Sequence, residues 1–337
     1  MLFPLLFVTV LAIVVGSVVK APYAMLSPGS ARPIQPLLSL GTDKTFDHPG
    51  ELLFVTVSVN APPSEPNYMW ALYGWLDPDR VVYPAQVVTD GRSGKDEERY
   101  QAVLMDASQR SAAYLALKHL GYPVQQTARG AFLSTIVKGS PADGKLHAGD
   151  TVVDIGGSGV NNSSDVGTIL RQHRVGDTVD ITVERPQVGK VHVALTLGSQ
   201  VDQTGTKVPY LGVYLETRIE YRLPFSVNID TGKIGGPSAG LAFTLAIIDR
   251  LSKSDITNGH KVAVTGTMEP DGKVGDVGGV AQKTVAVRRS GADVFLVPPG
   301  EYDEAVAHAG KHLKVIKVST LDEALKVLAA LPKKAPK

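Results

Sequence analysis

The chain has 337 residues, of which 43% are hydrophobic and 20% are charged, a composition typical of an ordinary folded protein rather than a disordered one. Its formal net charge of +1 provides no general electrostatic argument for a nucleic-acid partner, so none is expected. The absence of cysteine excludes disulfides, cysteine nucleophiles and thiolate metal sites.

The first predicted element is an apolar helix at the N-terminus. Residues 2–19 contain no charged side chain, and at about 1.5 Å per residue they would form roughly 27 Å of helix, near the lower limit for crossing a bilayer core. No basic residue precedes this segment, which favours an uncleaved anchor over a signal peptide. We therefore predict a transmembrane helix at 1–20 that attaches the protein to a membrane. The nearest basic residues, Lys20 and Arg32, follow the span and by themselves favour a cytoplasmic body.

Residues 21–122 are predicted to form a linker followed by an α/β segment. The stretch 21–36 is rich in Pro, Ser and Gly and is typical of an extended linker. The alternating, β-branched stretch 51–60 predicts a strand, and the apolar spacing over 94–120 predicts a helix. None of these patterns carries identifiable chemistry.

From residue 124 the pattern changes to short strands and turns, which indicates a β-rich domain. Three motifs follow one another here: Arg129-Gly130-Ala131-Phe132, Gly139-Ser140-Pro141-Ala142 and Ala148-Gly149-Asp150, with Val175-Gly176-Asp177 further on. This order resembles a PDZ domain of the bacterial protease-associated type, which we place at 123–200.

The resemblance implies a peptide-binding site at Arg129, Gly130, Ala131 and Phe132. In such a site a loop presents backbone N–H groups to the C-terminal carboxylate of a protein or peptide substrate, and a strand edge adds the peptide to the sheet. Gly130 would let the backbone turn close to the ligand, and Phe132 would line the side-chain pocket. Taken alone, the four residues are more typical of a turn that enters a strand. The downstream motifs favour the binding site.

From about residue 208 strands alternate with helices, as in an α/β domain. The segment Gly235-Gly236-Pro237-Ser238-Ala239-Gly240 precedes a strongly apolar helix predicted at 238–251. Three interpretations of this segment are open. Ser238 could cap the helix, the backbone N–H groups could hold an anion, or Ser238 could be a nucleophile beside an oxyanion hole.

Histidine is poorly placed to activate a serine in this chain. The eight histidines lie in polar, turn-like or exposed contexts, so a Ser-His-Asp triad has no support. His308 and His312 have the spacing of metal ligands, but Gly310 interrupts the helix between them. We therefore expect no metal and no cofactor.

Lys283 is the better candidate for a base. On a helix predicted at 279–290 it lies at the edge of an apolar stripe formed by Val280, Thr284 and Val287. A surface lysine can lie along such a stripe, but burial there would also lower its pKa and let it accept a proton near neutral pH. Periodicity alone leaves both interpretations open.

The motifs GGPSAG and GGVAQK, with VTGTMEPDGKVGDVGG leading into the second, resemble the proteolytic domain of the Lon peptidase family. The resemblance covers about 208–331, and we place the domain at 208–332, followed by a tail at 333–337. It implies an α/β fold like the second domain of ribosomal protein S5.

The same resemblance implies the roles of the site residues. Ser238 would be the nucleophile, Lys283 the general base and Thr265 the residue that orients the lysine. Backbone N–H groups around Gly236 and Ser238 would stabilise the oxyanion. ATP-dependent members commonly have Asp where this chain has Gly235, and the chain contains no G-x-x-x-x-G-K-[ST] motif.

An anchor, a PDZ domain and a Lon-type domain in this order resemble the Lon-like PDZ peptidases of bacteria. The resemblance implies a mixed α/β and α+β multidomain protein, an ATP-independent serine endopeptidase on the extracytoplasmic side of the cell membrane, and a homo-oligomeric ring. One alternative is a membrane-bound PDZ adaptor with an inactive peptidase domain, which Gly235 keeps open. Another is a small-molecule kinase of related fold, which the missing ATP-site features disfavour.

Overall fold

The computed structural model describes residues 2–62, 64–90, 92, 94–202 and 204–334. Met1 of the predicted anchor and residues 335–337 of the predicted tail lie outside the described residues. The chain forms two compact units. Unit 1 consists of Met1–Glu97, Leu104–Pro123 and Leu223–Lys337, and unit 2 consists of Glu98–Val103 and Val124–Arg222.

The first part of the chain contains α1 (Leu2–Val18), β1 (Tyr23–Pro33), β2 (Leu38–Leu40), β3 (Glu51–Asn60), α2 (Tyr68–Leu76), β4 (Val81–Pro84), α3 (Ala85–Thr89) and α4 (Gly94–His119). The middle part contains β5 (Gln125–Ile136), β6 (Thr151–Ile155), β7 (Ser158–Gly159), α5 (Ser163–Leu170), β8 (Thr178–Arg185), β9 (Gly189–Thr196), β10 (Gly198–Val201), β11 (Lys207–Tyr210) and β12 (Val213–Arg222). The last part contains β13 (Val227–Ile229), α6 (Gly240–Leu251), β14 (Lys261–Val264), β15 (Thr267–Met268), β16 (Val274–Gly275), α7 (Val280–Ser290), β17 (Val294–Val297), α8 (Tyr302–Ala309), β18 (Lys314–Lys317) and α9 (Leu321–Ala329).

A six-stranded sheet in the order β18-β17-β14-β3-β1-β4 forms the centre of unit 1. Strands β18, β17, β14 and β3 run parallel, whereas β1 pairs antiparallel with β3 and with β4. All four residues of β17 are buried, as expected for a parallel strand that is covered on both faces. The N-terminal and C-terminal parts of the chain therefore share one sheet.

The stretch predicted as an extended linker is the strand β1 of this sheet. The strand accommodates Pro28 and Pro33 because both lie beyond residues 23–26, the part of β1 that pairs with β4, and a bulge between Pro28 and Ala31 interrupts the pairing with β3. The two compact units also divide the chain differently from the predicted boundaries, since residues 21–97 belong to the same unit as 223–337.

Strand β3 packs against α7, which contains Lys283, and against α6, which directly follows the Ser238 loop. Its alternate residues point to opposite faces of the sheet. On one face, Leu53 belongs to the same core cluster as Val280 of α7. On the other, the ring of Phe54 lies 6.0 Å from that of Phe243 in α6. Helices α6 and α7 thus cover opposite faces of the sheet.

Unit 2 contains the sheet β12-β5-β6-β8-β9, with β7 paired to β6. Its core consists of buried aliphatic side chains such as Leu133, Val152, Ile181 and Leu195. Strand β12 lies beyond the predicted PDZ range of 123–200, yet it pairs with β5 along the whole of that strand.

The apolar N-terminal segment forms α1, which ends at Val18. Among the described residues, no helix combines the length and the apolar character needed to cross a bilayer. The structure therefore does not support the predicted transmembrane helix at 1–20.

Candidate active site

Ser238 lies in the loop that leads into α6. The helix begins at Gly240 with Ala239 as its N-cap, and no side chain caps it. The interpretation of Ser238 as a helix cap is therefore wrong. Gly236 is buried and has φ +91°, a conformation that favours glycine and bends the loop towards the helix.

Thr265 connects Ser238 to Lys283. It directly follows β14, at the carboxyl end of a central strand, and it is buried. The Thr265 hydroxyl donates a hydrogen bond to the backbone oxygen of Ser238 at 3.2 Å and accepts one from Lys283 Nζ at 3.2 Å. The N–H of Gly266 donates to the same Ser238 oxygen at 2.9 Å. The structure thus brings the three residues together through two consecutive hydrogen bonds.

The side chain of Lys283 is buried in α7, with 1% of its surface exposed. Burial lowers its pKa from 10.5 to about 8, and the negative charge of Glu301 acts in the opposite direction. The interpretation as a surface lysine is therefore wrong. A lysine with this pKa can both take and return a proton near neutral pH.

Glu301 is a charged neighbour of Lys283 that the sequence analysis did not identify. It is buried, and the N–H of Val277 donates to its Oε1 at 2.7 Å, whereas its Oε2 has no hydrogen-bond partner among the described residues. Burial raises the pKa of Glu301, and the hydrogen bond from Val277 partly offsets this. No local motif marks this residue, because folding alone brings it near the lysine.

Helix α4 supports the serine loop from outside the predicted proteolytic domain. Ser108 Oγ donates to the carbonyl of Pro237 at 3.0 Å, and Gln109 Nε2 donates to Thr231 Oγ1 at 3.2 Å. The apolar spacing of 94–120 predicted this helix correctly, but it assigned no role to the polar residues on it. Within the part of the chain that the structure describes, no three His, Cys, Asp or Glu side chains are grouped as metal ligands.

The predicted peptide-binding residues lie in β5, an interior strand of unit 2. Ala131 and Phe132 pair with β12 on one side and with β6 on the other. The N–H of Gly130 donates to Asn161 O at 2.8 Å, so it is already engaged within the domain. A peptide cannot add to this part of β5, because both of its edges are occupied. The prediction of a binding loop at 129–132 is therefore wrong.

The side chains of this segment also have partners inside unit 2. Arg129 Nε donates to Glu220 Oε2 of β12 at 2.9 Å, and the ring of Phe132 stacks on Tyr100 with a centroid distance of 6.2 Å. A β-carbon on Gly130 would lie 2.6 Å from the carbonyl oxygen of Val152. The glycine thus allows close packing of two strands rather than close approach of a ligand.

Strand β12 lies at the edge of the described sheet, next to α5. Helix α5 contacts both β5 and β12. At its start, the N–H of Ser163 donates to Thr217 Oγ1 at 3.2 Å, and the two hydroxyl oxygens are 3.1 Å apart. An edge strand beside a helix has the geometry that β-strand addition of a peptide requires.

Two family models match this chain. Residues 225–331 match the Lon protease (S16) C-terminal proteolytic domain, a range that contains Ser238, Thr265 and Lys283. Residues 118–196 match the PDZ domain, a range that excludes β12. The resemblance that the motifs predicted is confirmed for both regions.

The similar proteins include curated Lon proteases. The Lon protease of Elusimicrobium minutum is 30% identical over 173 residues, which are 48% of this chain and 20% of that protein. The Lon protease of Campylobacter concisus is 33% identical over 95 residues, which are 27% of this chain and 12% of that protein. The matched part is thus a small fraction of the length of these relatives. Among solved structures, the PDZ domain of an SdrC-like protein from Listeria innocua is 27% identical, with a TM-score of 0.23, and the match covers 26% of this chain and 92% of that one.

Proposed function

We propose that this protein is an ATP-independent serine endopeptidase in which Ser238 is the nucleophile and Lys283 the general base. The observation that carries the proposal is the buried Lys283, whose ammonium group is tied through Thr265 to the backbone of Ser238. A buried lysine without a hydrogen-bonded carboxylate is costly for stability, and such groups concentrate at functional sites.

The proposed reaction follows from this arrangement. Neutral Lys283 takes the proton of Ser238 as the serine oxygen attacks the scissile carbonyl. Backbone N–H groups around Gly236 and Ser238 stabilise the oxyanion. Lys283 then returns the proton to the leaving amine, and a water molecule, activated by the same lysine, hydrolyses the acyl-enzyme.

We propose that unit 2 binds protein or peptide substrates along the outer edge of β12. Backbone groups at this edge would pair with an extended peptide, and α5 would contact its side chains. This site replaces the one first predicted at Arg129–Phe132.

We also propose how the protein attaches to the membrane, on which side of it the protein lies and how its copies assemble. The charge-free residues 2–19 would attach the protein to the cell membrane through α1. The family resemblance supports an extracytoplasmic body and a homo-oligomeric ring. Fractionation of cells with protease accessibility would test the location, and analytical ultracentrifugation would test the assembly.

Replacing the nucleophile tests the proposed activity. Ser238→Ala should reduce cleavage of an unfolded protein substrate by at least about 10³-fold, because it removes the attacking oxygen. The exposed Ser254 provides the control, since Ser254→Ala should cleave as the wild type does. Turnover that persists in purified Ser238→Ala would disprove the proposal. Peptide binding without any turnover by the wild type would identify a PDZ adaptor instead.

A further inference from the structure

Helix α2 packs against the neighbouring strands of unit 1 through its two smallest residues. Ala71 and Gly74, three positions apart on one helix face, are the buried residues of this nine-residue helix. A β-carbon on Gly74 would lie 2.7 Å from Met25 Sδ and 2.8 Å from Val82 Cγ2. The close approach to β1 and β4 therefore fixes which face of the helix points inward.

The large apolar side chains of α2 are consequently left exposed, although the ring of Trp75 also makes an edge contact with Tyr23 of β1. A surface helix of a globular protein normally has the opposite pattern, with its large apolar residues facing the core and its polar residues facing the solvent. No charged residue occurs in α2, and the helix lies between Asn67 and Asp77. The outer face of α2 is formed by seven side chains with exposed fractions from 38% to 76%: Tyr68, Met69, Trp70, Leu72, Tyr73, Trp75 and Leu76.

The aromatic content of this outer face indicates what covers it. Trp70 and Trp75 are the only tryptophans of the chain. Trp and Tyr rings are enriched where a bilayer changes from headgroups to acyl chains, because one end of the ring is polar and the rest is apolar. The rings of Trp70 and Tyr73 stack with centroids 5.1 Å apart, and the guanidinium of Arg80 lies over both.

The outer face of α2 is continuous with the apolar end of α1. Asn67 Nδ2 donates to the carbonyl of Ser17 at 2.6 Å, and a β-carbon on Gly16 would lie 3.3 Å from Met69 Cγ. The C-terminal half of α1 exposes further aliphatic side chains, among them Val14 and Val18. The two helices thus present one apolar surface.

We propose that α2 lies in the boundary between the headgroups and acyl chains of a lipid membrane, with its outer face in contact with lipid. At about 1.5 Å per residue the helix is roughly 13 Å long, so it lies in the interface rather than across it. Contact through α2 as well as α1 would hold unit 1 in one orientation at the membrane. This inference goes beyond the proposed peptidase activity and does not depend on it.

Tryptophan fluorescence of the full chain tests the inference directly, since both tryptophans are in α2. The protein is mixed with phosphatidylcholine–phosphatidylglycerol vesicles that carry bromine either near the glycerol end or near the methyl end of the acyl chains. Bromine near the glycerol end should quench the emission at least about twofold more than bromine near the methyl end, because the rings lie at the interface. The variants Trp70→Phe and Trp75→Phe assign the signal to each ring.

A pair of substitutions with equal exposure provides the control. Leu72 in α2 and Val306 in α8 are each 45% exposed, so neither contributes to a core. Leu72→Glu should reduce the quenching at least about threefold, whereas Val306→Glu should leave it unchanged. Both variants should show the thermal unfolding transition of the wild type in circular dichroism, which shows that they are folded.

Two results would overturn the proposal. The first is that the protein binds vesicles, as measured by co-sedimentation, but neither brominated lipid quenches its fluorescence. Such a result would mean that the protein binds the membrane through α1 and not through α2. The second is self-association in solution that Leu72→Glu abolishes, again without quenching. The outer face of α2 would then be an interface between copies of this chain.

Discussion

Lys283 must be neutral before it can accept the proton of Ser238, so its protonation controls the pH at which the proposed site works. Burial is the main cause of its lowered pKa, and Glu301 opposes that effect. Below a pKa of about 8 the neutral fraction falls about tenfold for each pH unit. The value of kcat/KM for a neutral peptide substrate should therefore rise with pH and level off above about 8.

Glu301→Gln should move this pH profile to lower pH. The substitution removes a negative charge that stabilises the protonated lysine, so the pKa of Lys283 should fall further. Glu304→Gln is the matched control, because Glu304 is exposed in α8, the helix that begins directly after Glu301, and its charge is not among the causes of the shifted pKa of Lys283. An unchanged profile in Glu301→Gln, measured with enzyme of wild-type melting temperature, would contradict the assigned role.

In the proposed mechanism Thr265 orients the base, and its hydroxyl can be removed without loss of volume. Thr265→Val should lower kcat by about 10- to 100-fold with little change in KM, because the lysine loses the hydrogen bond that holds it. Thr265→Ser keeps the hydroxyl and should retain most of the activity. Equal losses in both variants would mean that the β-branched packing, and not the hydrogen bond, is what matters.

At the scale of single elements, the peptide site depends on which strand has a free edge. Hydrogen exchange followed by mass spectrometry should show that a bound C-terminal peptide protects amides of β12 and slows exchange at the start of α5. Strand β9, at the opposite edge of the same sheet, is the internal control and should not change. Protection confined to β9, or to the 129–132 segment, would contradict the assignment to β12.

The candidate active site lies at the carboxyl end of β14, a central strand of the sheet. Strand β14 ends at Val264, and the next two residues, Thr265 and Gly266, donate hydrogen bonds to the Ser238 carbonyl. Ligands of open α/β sheets commonly bind at the carboxyl ends of parallel strands, where such loops converge. Since α6 and α7 cover opposite faces of the sheet, neither helix alone could complete the site.

At the scale of the whole molecule, the central sheet joins β1, β3 and β4 of the N-terminal region to β14, β17 and β18 of the region that matches the Lon proteolytic domain. A fragment of residues 208–332, the predicted Lon-type domain, lacks β1, β3 and β4 and so leaves one edge of β14 unpaired. It also lacks the buried Leu53 and Val55 of the core. This fragment should show no cooperative unfolding transition in thermal circular dichroism.

The contrasting fragment is 124–222, which contains all six strands of the unit 2 sheet and its aliphatic core. It should unfold cooperatively. A cooperative transition in 208–332 would show instead that β14, β17 and β18 suffice without the N-terminal strands.

The sequence by itself determined the elements whose signals are local. Strand β3 and helices α6 and α7 were predicted from periodicity to within two residues, because their alternating or helical apolar patterns match the surfaces that they bury. The motifs around Ser238 and Lys283 likewise predicted the resemblance to the Lon proteolytic domain, and the family match over residues 225–331 confirms that resemblance.

Only the tertiary structure decided the features that depend on distant partners. Strand β1 looks like a linker locally and becomes a strand because two neighbours pair with it. Lys283 is a base candidate rather than a surface lysine because the fold buries it, and Glu301 affects its pKa only because folding brings the two together. The pairing of both edges of β5 and the exposure of the outer face of α2 likewise depend on contacts with distant parts of the chain. Periodicity shows which side of an element is apolar, but only packing shows what that side meets.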